Sequence, residues 1–565
     1  MLKLETNEMT AVITNNRLNL SLTKEGMVQS LKIDGQELLN NLTGEPGDPD
    51  KDHSFYLDYH MNGKTVNMKP VRMEVIEDSP EAAHVVYIDD QSDLGLAYHL
   101  IVRGDDTAIY GYVEAWSNAD HSFKVNELRT VYRLDHELFN IGYNAERIGH
   151  QPTSAHMMSG DKLQDETYVM ADGSFYSNSN IYSKYDYAGY LSENPFWGQY
   201  GDKYGLWFIP ADRSYFPSGP LNQDLLLHYD GLILNYMTAV HFGTGDIEIN
   251  PGWHKLYGPW CVLVTNDTHP LPSVRKRVHQ EQAAWPYQWV KDDNYPLSLA
   301  TVTGQITVGH QIGDYPFEVV LAQPSQDGTF MHQREDYIYY AETDKQGRFE
   351  INNVRPGDYT VYAYAKGGTI VGMPHWDGAA VKAGHCDLGE YDIPDDNRQV
   401  IWQIGQSTHT TEGFKFSDQL RNHIWKDLVP NNLVYHIGRQ TSDDWYYLQN
   451  DGGVWKIIFN GRLLNTKKNA YLSIAFAGVT KKVMTDPRGT RVEVDLNKQM
   501  LVTHYYERND SAGYRSALRG GNYELLTVTI TADQLKSGVN ELAIKTDGYL
   551  LYDTLKLEQD RDENA

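Results

Sequence analysis

The sequence predicts an all-β protein built from several sandwich-like domains. Short runs of alternating apolar and polar residues, at positions 17–22 and 96–102 for example, have the two-residue period of half-buried strands. Turn-forming pairs such as Asn62-Gly63 separate these runs. In the first 290 residues, helical periodicity of more than two turns is clear only at positions 273–284. A chain of 565 residues is too long for one hydrophobic core, so we expect about three domains.

Residues 1–295 are predicted to form the first and largest domain. Nearly all of it has the strand pattern, and about 280 residues of antiparallel strands imply a large sandwich of two sheets. Within it, the stretch from Gly173 to Gly243 combines Lys184 and His241 with many tyrosines. An enzyme can use such a pair as a proton acceptor and a proton donor. We therefore expect this domain to be catalytic.

Two smaller β domains are predicted to follow. Residues 296–395 contain short alternating strands around the Pro356-Gly357 turn, a pattern typical of small seven-stranded sandwiches. We expect this domain to be a spacer that carries no chemistry. Residues 396–565 contain longer strands, at positions 471–477 and 523–530 for example. This pattern favours a jelly roll of the kind used in carbohydrate-binding modules.

The composition is acidic, with 76 Asp and Glu residues, 49 Lys and Arg residues and a formal net charge of −27. Nucleic-acid binding needs clustered positive charge, so the composition argues against that class. An anionic substrate would require cations concentrated in one cleft. The 40 tyrosines and 12 tryptophans suit stacking on sugars, and they also suit strands and cores.

The sequence does not predict a membrane protein or a disulfide framework. No run approaches the roughly eighteen apolar residues of a spanning helix, and residues 1–8 lack the apolar segment of a signal peptide. Cys261 and Cys386 fall in different predicted domains and have no zinc-motif partners. We expect a soluble monomer without membrane partners, cytoplasmic as the chain reads or secreted with its signal removed.

Common catalytic motifs are absent from the sequence. There is no phosphate-binding Gly-rich loop, no His-Glu-x-x-His and no nucleophile-elbow serine. Carboxylate pairs such as Asp443-Asp444 would point to opposite faces of a strand, which does not suit a glycosidase dyad. The acidic run at positions 48–52 lacks the spacing of an EF-hand, so a solvated turn is the simpler interpretation. Whether the sandwich domains bind a structural Ca²⁺ ion stays open.

Two arginines are the first candidate functional residues. Arg129 and Arg133 are four residues apart in a strand-like segment. That spacing places them on the same face, about 13 Å apart along the strand. The alternative is a surface ion pair with Glu127 or Asp135.

Lys184, Tyr236 and His241 are the other candidates. Lys184 lies among tyrosines in Tyr182-Ser-Lys-Tyr-Asp-Tyr187. Tyr236 and His241 are five residues apart, which would put them on opposite faces of a regular strand. A bulge or bend is therefore required if both line one site. With the two arginines, these residues form an unusually cationic set within an acidic protein.

Several stretches, spread over residues 8–557, together carry a resemblance to a known family. They are Arg129-Thr-Val-Tyr-Arg133, Tyr182-Ser-Lys-Tyr-Asp-Tyr-Ala188, Leu234-Asn-Tyr-Met-Thr-Ala-Val-His-Phe-Gly243, Gly347-Arg-Phe, Gly357-Asp-Tyr, Ile401-Trp-Gln-Ile-Gly405 and Arg515-Ser-Ala-Leu-Arg-Gly520. In content and order they resemble the rhamnogalacturonan lyases of polysaccharide lyase family 4. The resemblance implies a large N-terminal β-sandwich, a small fibronectin-III-like sandwich and a C-terminal carbohydrate-binding-like jelly roll.

The same resemblance implies roles for the candidate residues. Lys184 and His241 match the catalytic pair, and the substrate-cleft positions are matched by Arg129, Arg133, Tyr236 and Arg515. Arg519 competes with Arg515 for its position, since it lies four residues on.

The resemblance also implies the reaction and its requirements. The expected substrate is rhamnogalacturonan I or its oligosaccharides, cleaved by β-elimination at galacturonate. Arginines would neutralise the sugar carboxylate, so no cofactor is expected to be required. Positive charge and partial burial around Lys184 would favour its neutral, proton-accepting form. Two alternatives are a non-catalytic glycan-binding protein and a glycoside hydrolase that uses carboxylates.

Overall fold

The computed structural model describes residues 1–45, 47–48, 50–243, 245–325, 328–483, 488–507 and 510–561. Strands dominate these residues, which confirms the all-β prediction. The helix predicted at positions 273–284 is present as Leu271–Ala284 and ends at Trp285. The other α-helices of the described residues have four residues each: Ser154–Met157, Gly173–Tyr176 and Ile424–Asp427. The described part of the chain contains no helix that is both long and apolar enough to span a membrane.

Contacts group the chain into two compact units. The first comprises Met1–Val240, Thr244–Leu297 and Ser325–Ile338. The second comprises His241–Gly243, Ser298–Pro324 and Tyr339–Ala565.

A nine-stranded antiparallel sheet, here called the large sheet, is the largest element of the first unit. Its strands in spatial order are Ile148–His150, Ile141–Tyr143, Trp197–Tyr200, Tyr204–Pro210, His254–Asn266, Ala108–Ser117, Leu94–Arg103, Ala82–Asp89 and Arg72–Asp78. One face packs on the main core through residues such as Val85, Leu96 and Val262. The opposite face is covered by the helix Leu271–Ala284 and the segment after it, through residues such as Val278 and Tyr287.

A five-stranded sheet, here called the site sheet, packs on the other side of the same core. Its strands in spatial order are Leu227–His228, Leu232–Thr238, Glu127–Arg133, Tyr56–Met61 and Lys64–Asn67. Leu57, Leu128 and Ile233 belong to the core face. The predicted two-sheet sandwich is therefore present, and residues that alternate with these three point away from the core.

Smaller sheets complete the first unit. A five-stranded meander runs through Lys3–Asn7, Thr10–Thr14, Leu18–Leu22, Val28–Ile33 and Gln36–Glu37. The remaining short sheets are Phe123–Val125 with Ile247–Ile249, Asp161–Gln164 with Thr167–Val169 and Ile181–Ser183, and Ala188–Tyr190 with Gln223–Leu225. The second of these holds the chain just before Lys184.

The second unit begins with the small sandwich predicted from the sequence. Three strands form one sheet in the order Arg348–Val354, Ala300–Val308 and Gly384–Ile393, and four form the other in the order Ile338–Glu342, Phe317–Ala322, Gly357–Ala365 and His375–Val381. Apolar positions such as Val319 and Val361 are fully buried. The seven strands are those expected of this class of domain.

Two five-stranded sheets follow in the second unit. One contains Arg398–Gly405, Tyr549–Asp560, Ala470–Thr480 and Glu524–Ile530, with Leu448–Gln449 paired to Tyr549–Asp560. The other runs Asn432–His436, Val454–Asn460, Val539–Thr546, Thr490–Leu496 and Gln499–Tyr506. Their shared core contains Trp445, Trp455 and Ile474, as expected for a jelly-roll-like sandwich.

Candidate active site

The outward face of the site sheet carries three of the predicted residues. Strand Glu127–Arg133 pairs antiparallel with strands on both sides, and Arg129 lies opposite Asp58 on one neighbour and Tyr236 on the other. Leu128 and Tyr132 point into the core, so Arg129 and Arg133 both point away from it. The structure therefore confirms that the two arginines share a face.

Arg129 is held by a forked contact on this face. Its Nε donates to Asp58 Oδ1 at 2.7 Å and its Nη2 donates to Asp58 Oδ2 at 3.0 Å. Its Nη1 donates to the hydroxyl of Tyr236 at 2.8 Å and lies 3.8 Å from Glu127 Oε2. Burial alone would lower the pKa of Arg129, but these acidic and phenolic neighbours raise it well above the ordinary value. The guanidinium is therefore a fixed positive charge, and 19% of its side chain remains exposed.

Arg133 is buried more completely than Arg129. Its side chain is 2% exposed, and its Nη2 donates to Asp48 Oδ2 at 2.6 Å and to the Tyr56 hydroxyl at 3.2 Å. Its Nη1 donates to the Thr43 carbonyl at 2.6 Å. Because its side chain is almost fully buried, Arg133 contributes charge to this face without a donor that a ligand can reach.

The alternative interpretation of the arginines, as an ion pair with Glu127 or Asp135, is correct only in part. Glu127 is a secondary neighbour of Arg129, and Asp58 is its main partner. Asp135 accepts instead from the backbone and side-chain nitrogens of Asn41. Both arginines do form ion pairs, but on a partly buried sheet face.

His228 also belongs to this face, and the sequence reasoning missed it. Register places His228 opposite Leu232, which lies opposite Arg133 on the next strand. Its ring is buried, and Nδ1 has no hydrogen-bond partner among the described residues. Burial is the largest cause of a pKa well below the ordinary value, and the charges of Lys184, Arg129 and Arg133 add to it. All three predicted cations therefore lie near one neutral imidazole.

Lys184 lies directly after the strand Ile181–Ser183. It opens the 3₁₀ turn Lys184–Tyr187, and Ser183 caps that turn by accepting from the backbone nitrogen of Tyr185. The backbone nitrogen of Lys184 donates to the Glu166 carbonyl at 3.2 Å, and its Nζ forms an ion pair with the Glu166 carboxylate. Two contacts to the same residue thus fix where the amine lies.

Glu166 is the second residue that the sequence did not indicate. It sits in a tight turn with φ of +40°, a conformation that costs free energy in a residue other than glycine. Burial raises the pKa of the Glu166 carboxyl, and Lys184 opposes that rise by stabilising the carboxylate. The ion pair therefore compensates the Glu166 carboxylate for its burial.

Carboxylates balance the cations of this face. Arg129 pairs with Asp58, Arg133 with Asp48, and Lys184 with Glu166. The sequence suggested an unbalanced cationic set, because partners 71 or 85 residues away along the chain could not be recognised. The acidic partners hold each cation in a defined position, which is what preorganised electrostatic catalysis requires.

A β-bulge shapes the strand that leads to His241. Arg129 pairs with Tyr236 while Leu128 pairs with Thr238, so Met237 is the extra residue. Sequence spacing required a bulge or bend between Tyr236 and His241, and a bulge is present. The strand ends at Thr238, so His241 lies in the following loop.

The loop residues His241–Gly243 belong to the second unit. The His241 carbonyl accepts from Arg515 Nη1 at 3.1 Å and from Ser511 Oγ at 3.4 Å. Both side chains are buried, with Arg515 6% exposed and His241 6% exposed. Arg515 therefore fixes the loop through its backbone, and this contact favours Arg515 over Arg519 as the relevant arginine.

Gly243 closes this loop in a conformation that only glycine adopts easily. Its φ is +112°, and a Cβ atom there would lie 2.5 Å from Asn522 Oδ1. Phe242 stacks under the guanidinium of Arg421 at 4.9 Å from the ring centroid. The backbone around His241 thus depends on close packing against residues 510–522.

Comparison with known proteins identifies the family of the chain. Residues 316–386 match the family model described as polysaccharide lyase family 4, domain II, and residues 400–557 match that described as domain III. A rhamnogalacturonate lyase from Dickeya dadantii (strain 3937) is 36% identical over 567 residues, which cover 99% of this chain and 94% of that protein. Rhamnogalacturonate lyase B from Emericella nidulans is 23% identical over 84% of this chain and 80% of its own length.

Among solved structures, an α-mannosidase from Enterococcus faecalis V583 has a TM-score of 0.31 and 8% identity over 66% of this chain and 39% of that one. A likeness at that level adds nothing to the assignment, which rests on the full-length relative and the two matched domains. The chain therefore belongs to polysaccharide lyase family 4, among the rhamnogalacturonan lyases.

Proposed function

We propose that this lyase cleaves the rhamnose-(1→4)-galacturonate bond of rhamnogalacturonan I by β-elimination and leaves a 4,5-unsaturated uronate. The observation that carries the proposal is the site-sheet face, where Arg129 and Arg133 point away from the core and the turn Lys184–Tyr187 packs against strand Leu227–His228. Such a face can receive the carboxylate of a galacturonate next to a proton acceptor. The full-length similarity to rhamnogalacturonate lyases supports the choice of polymer.

The reaction needs positive charge before it needs a base. The C5 proton is hard to remove, because the carboxylate next to it is already negative and the intermediate gains further charge. A cation fixed near that carboxylate stabilises the enolate-like transition state more than the ground state. Arg129 fits this role, since it is partly exposed and held by Asp58 and Tyr236.

We assign the base role to Lys184 and the acid role to His241. Lys184 takes the C5 proton, the electron pair forms the C4–C5 double bond, and the C4–O4 bond breaks. His241 then donates a proton to the departing oxygen. Each transfer contributes about 10²- to 10⁴-fold in rate. Glu166 holds the amine of Lys184 in place through their ion pair.

The arginines supply the charge neutralisation in this proposal, so no metal cofactor is required for turnover. Incubation of the protein with rhamnogalacturonan I, with and without chelator, tests this directly. We expect absorbance of the conjugated double bond to rise equally in both samples. A rise that chelator abolishes would contradict the role of the arginines.

The same assay separates the competing functions. Saturated reducing ends without new absorbance would show a hydrolase, and polymer binding without any new ends would show a glycan-binding protein. Lys184→Ala should lower the rate at least about 100-fold while polymer binding persists. Lys162→Ala, which removes an exposed lysine from strand Asp161–Gln164, serves as the matched control. Near-normal activity in Lys184→Ala would exclude the lysine as the base.

A further inference from the structure

A row of polar side chains crosses the covered face of the large sheet, away from the residues considered so far. His84, His99, Glu114 and His254 lie on four adjacent strands of this sheet. Register places each at a diagonal from the next: His84 pairs with Ile101, Glu114 with Ala97, and His254 with Trp116. Diagonal neighbours on one face are close enough for long side chains to meet.

The segment after the long helix closes over this row with a second carboxylate. Asp292 lies in that segment, and its Oδ2 accepts from the Tyr112 hydroxyl at 2.9 Å. Tyr112 stacks on the His99 ring with centroids 3.9 Å apart. One ligand atom each from His99, Glu114 and Asp292 lies within 4.8 Å of the other two.

His99 points an unpartnered nitrogen into this cluster. The residue is 6% exposed, and Nε2 has no hydrogen-bond partner among the described residues. Nε2 lies 3.7 Å from Glu114 Oε1, which is too long for a hydrogen bond. Ligands around 2.1 Å from a tetrahedral zinc ion are separated by about 3.4 Å, so the spacing is close to that of two ligands of one ion.

The contacts behind these groups are those that orient metal ligands. His99 Nδ1 is hydrogen-bonded to His84 Nε2 at 2.9 Å, and when Nδ1 donates, the lone pair of Nε2 faces the carboxylates. Asn294 Nδ2 donates to Glu114 Oε2 at 2.8 Å. With the hydroxyl of Tyr112 on Asp292, each of the three groups has a neighbour that fixes its orientation.

We propose that His99 Nε2 and the carboxylates of Glu114 and Asp292 bind one divalent transition-metal ion, for which Zn²⁺ is the probe. An imidazole nitrogen with two carboxylates suits zinc or manganese, whereas calcium takes oxygen ligands only. His254 lies on the solvent side, 40% exposed, with Nε2 2.9 Å from Glu114 Oε2.

The ion would link two parts of the first unit: the large sheet and the segment that follows the long helix. Asp292 comes from that segment, whereas His99 and Glu114 come from two sheet strands. A ligand that binds the folded chain alone raises its stability by mass action. The site is thus structural, and its loss does not touch the residues proposed for catalysis.

The experiment uses the full chain after treatment with chelator and dialysis. We expect titration calorimetry to show one Zn²⁺ bound per chain, and we expect the midpoint of thermal unfolding to rise on addition of Zn²⁺. Co²⁺ in place of Zn²⁺ should give visible absorption bands of nitrogen–oxygen coordination, and an equal concentration of Ca²⁺ should not displace the ion. No binding, or ready displacement by Ca²⁺, would overturn the proposal.

Variants locate the site. Asp292→Asn and His99→Gln should each weaken Zn²⁺ binding at least about tenfold, and His254→Gln provides a milder change if either of them fails to fold. His310→Gln is the matched control, because His310, Glu390 and Asp392 form a similar but exposed cluster elsewhere. Undiminished binding in Asp292→Asn, or binding lost only in His310→Gln, would show that the ion is held somewhere else.

Discussion

The two arginines of the site sheet illustrate how a single side chain can be both structural and functional. Arg129 is held by Asp58 and Tyr236, yet 19% of its side chain remains exposed. Arg133 has no such exposure, because the protein surrounds it. We therefore expect Arg129 to contact the substrate carboxylate and Arg133 to act by charge and by support of the sheet.

Replacement of Arg129 by lysine tests this division. Lysine keeps the charge but loses the planar fork that binds both oxygens of Asp58 and the hydroxyl of Tyr236. We expect kcat/KM for rhamnogalacturonan I to fall at least about tenfold, equivalent to about 1.4 kcal/mol. Arg17→Lys is the control, since Arg17 makes the same forked contact with Asp34 on the surface. If both changes had equally small effects on kcat/KM, Arg129 would be only a member of a structural ion pair.

The sequence could identify the cations of this face but not their surroundings. Arg129, Arg133 and Lys184 stood out because cations are scarce in an acidic chain. Asp58 and Glu166 could not be chosen from among 76 acidic residues, because only strand register and a tight turn bring them to their partners. His228 follows the run Leu225-Leu226-Leu227 and reads as an ordinary core position. Its place near Arg133 depends on pairing across two strands.

At the level of elements, a bulge and a loop determine where His241 lies. The sequence predicted strands, turns and the helix from their periodicity, and it required an irregularity between Tyr236 and His241. It could not show that the irregularity falls at Met237, because a bulge leaves no distinct residue pattern. The end of the strand at Thr238 likewise depends on tertiary packing.

Gly243→Ala tests the importance of the His241 loop. The added methyl group would meet Asn522 and would strain a residue at φ +112°. We expect kcat to fall at least about tenfold, because proton transfer is sensitive to misplacement of the donor by about 1 Å. Gly252→Ala is the control, since Gly252 has φ of +83° but no heavy atom within 4 Å of the added Cβ. It should cost about 1 kcal/mol of stability and leave kcat unchanged. Similar kcat values in both variants would show that the loop tolerates movement.

At the level of the whole molecule, two buried carboxyl groups in the second unit make stability depend on pH. Burial raises the pKa of Asp510 to about 7 and that of Asp553 to about 8 from an ordinary 3.8. Between the ordinary pKa of 3.8 and these raised pKa values, the unfolded chain has lost protons that the folded chain retains. Stability therefore falls as pH rises through this window. Buried histidines such as His409, with a pKa lowered from 6.5 to about 3, act in the opposite direction only below about pH 6.5.

We accordingly expect the unfolding free energy to fall between pH 6.5 and 8. The slope from Asp553 is up to about 1.4 kcal/mol per pH unit. Urea unfolding at pH 6.5, 7.25 and 8 measures it, and Asp553→Asn should flatten the dependence. A free energy that rises with pH over this range, or a slope that Asp553→Asn leaves unchanged, would contradict the assignment.

The predicted domain boundary after residue 295 stays a prediction, and truncation tests what it means physically. Lys255 is 1% exposed, and its Nζ donates to the carbonyls of Arg334 at 2.8 Å and Asp336 at 2.7 Å. Residues 1–295 alone would lack these two carbonyls, and a buried ammonium that loses such hydrogen bonds costs several kcal/mol. We expect that fragment to be insoluble or unfolded by circular dichroism. Lys255→Met should partly rescue it, and a well-folded unmodified fragment would contradict this account.

The contribution of Ser325–Ile338 to the first unit also restricts how such genes can recombine. A crossover between codons 295 and 296 would exchange the middle domain together with the polypeptide that completes the first one. The two coding regions should therefore be inherited as one block, and chimeric lyases should be viable only when both come from the same parent.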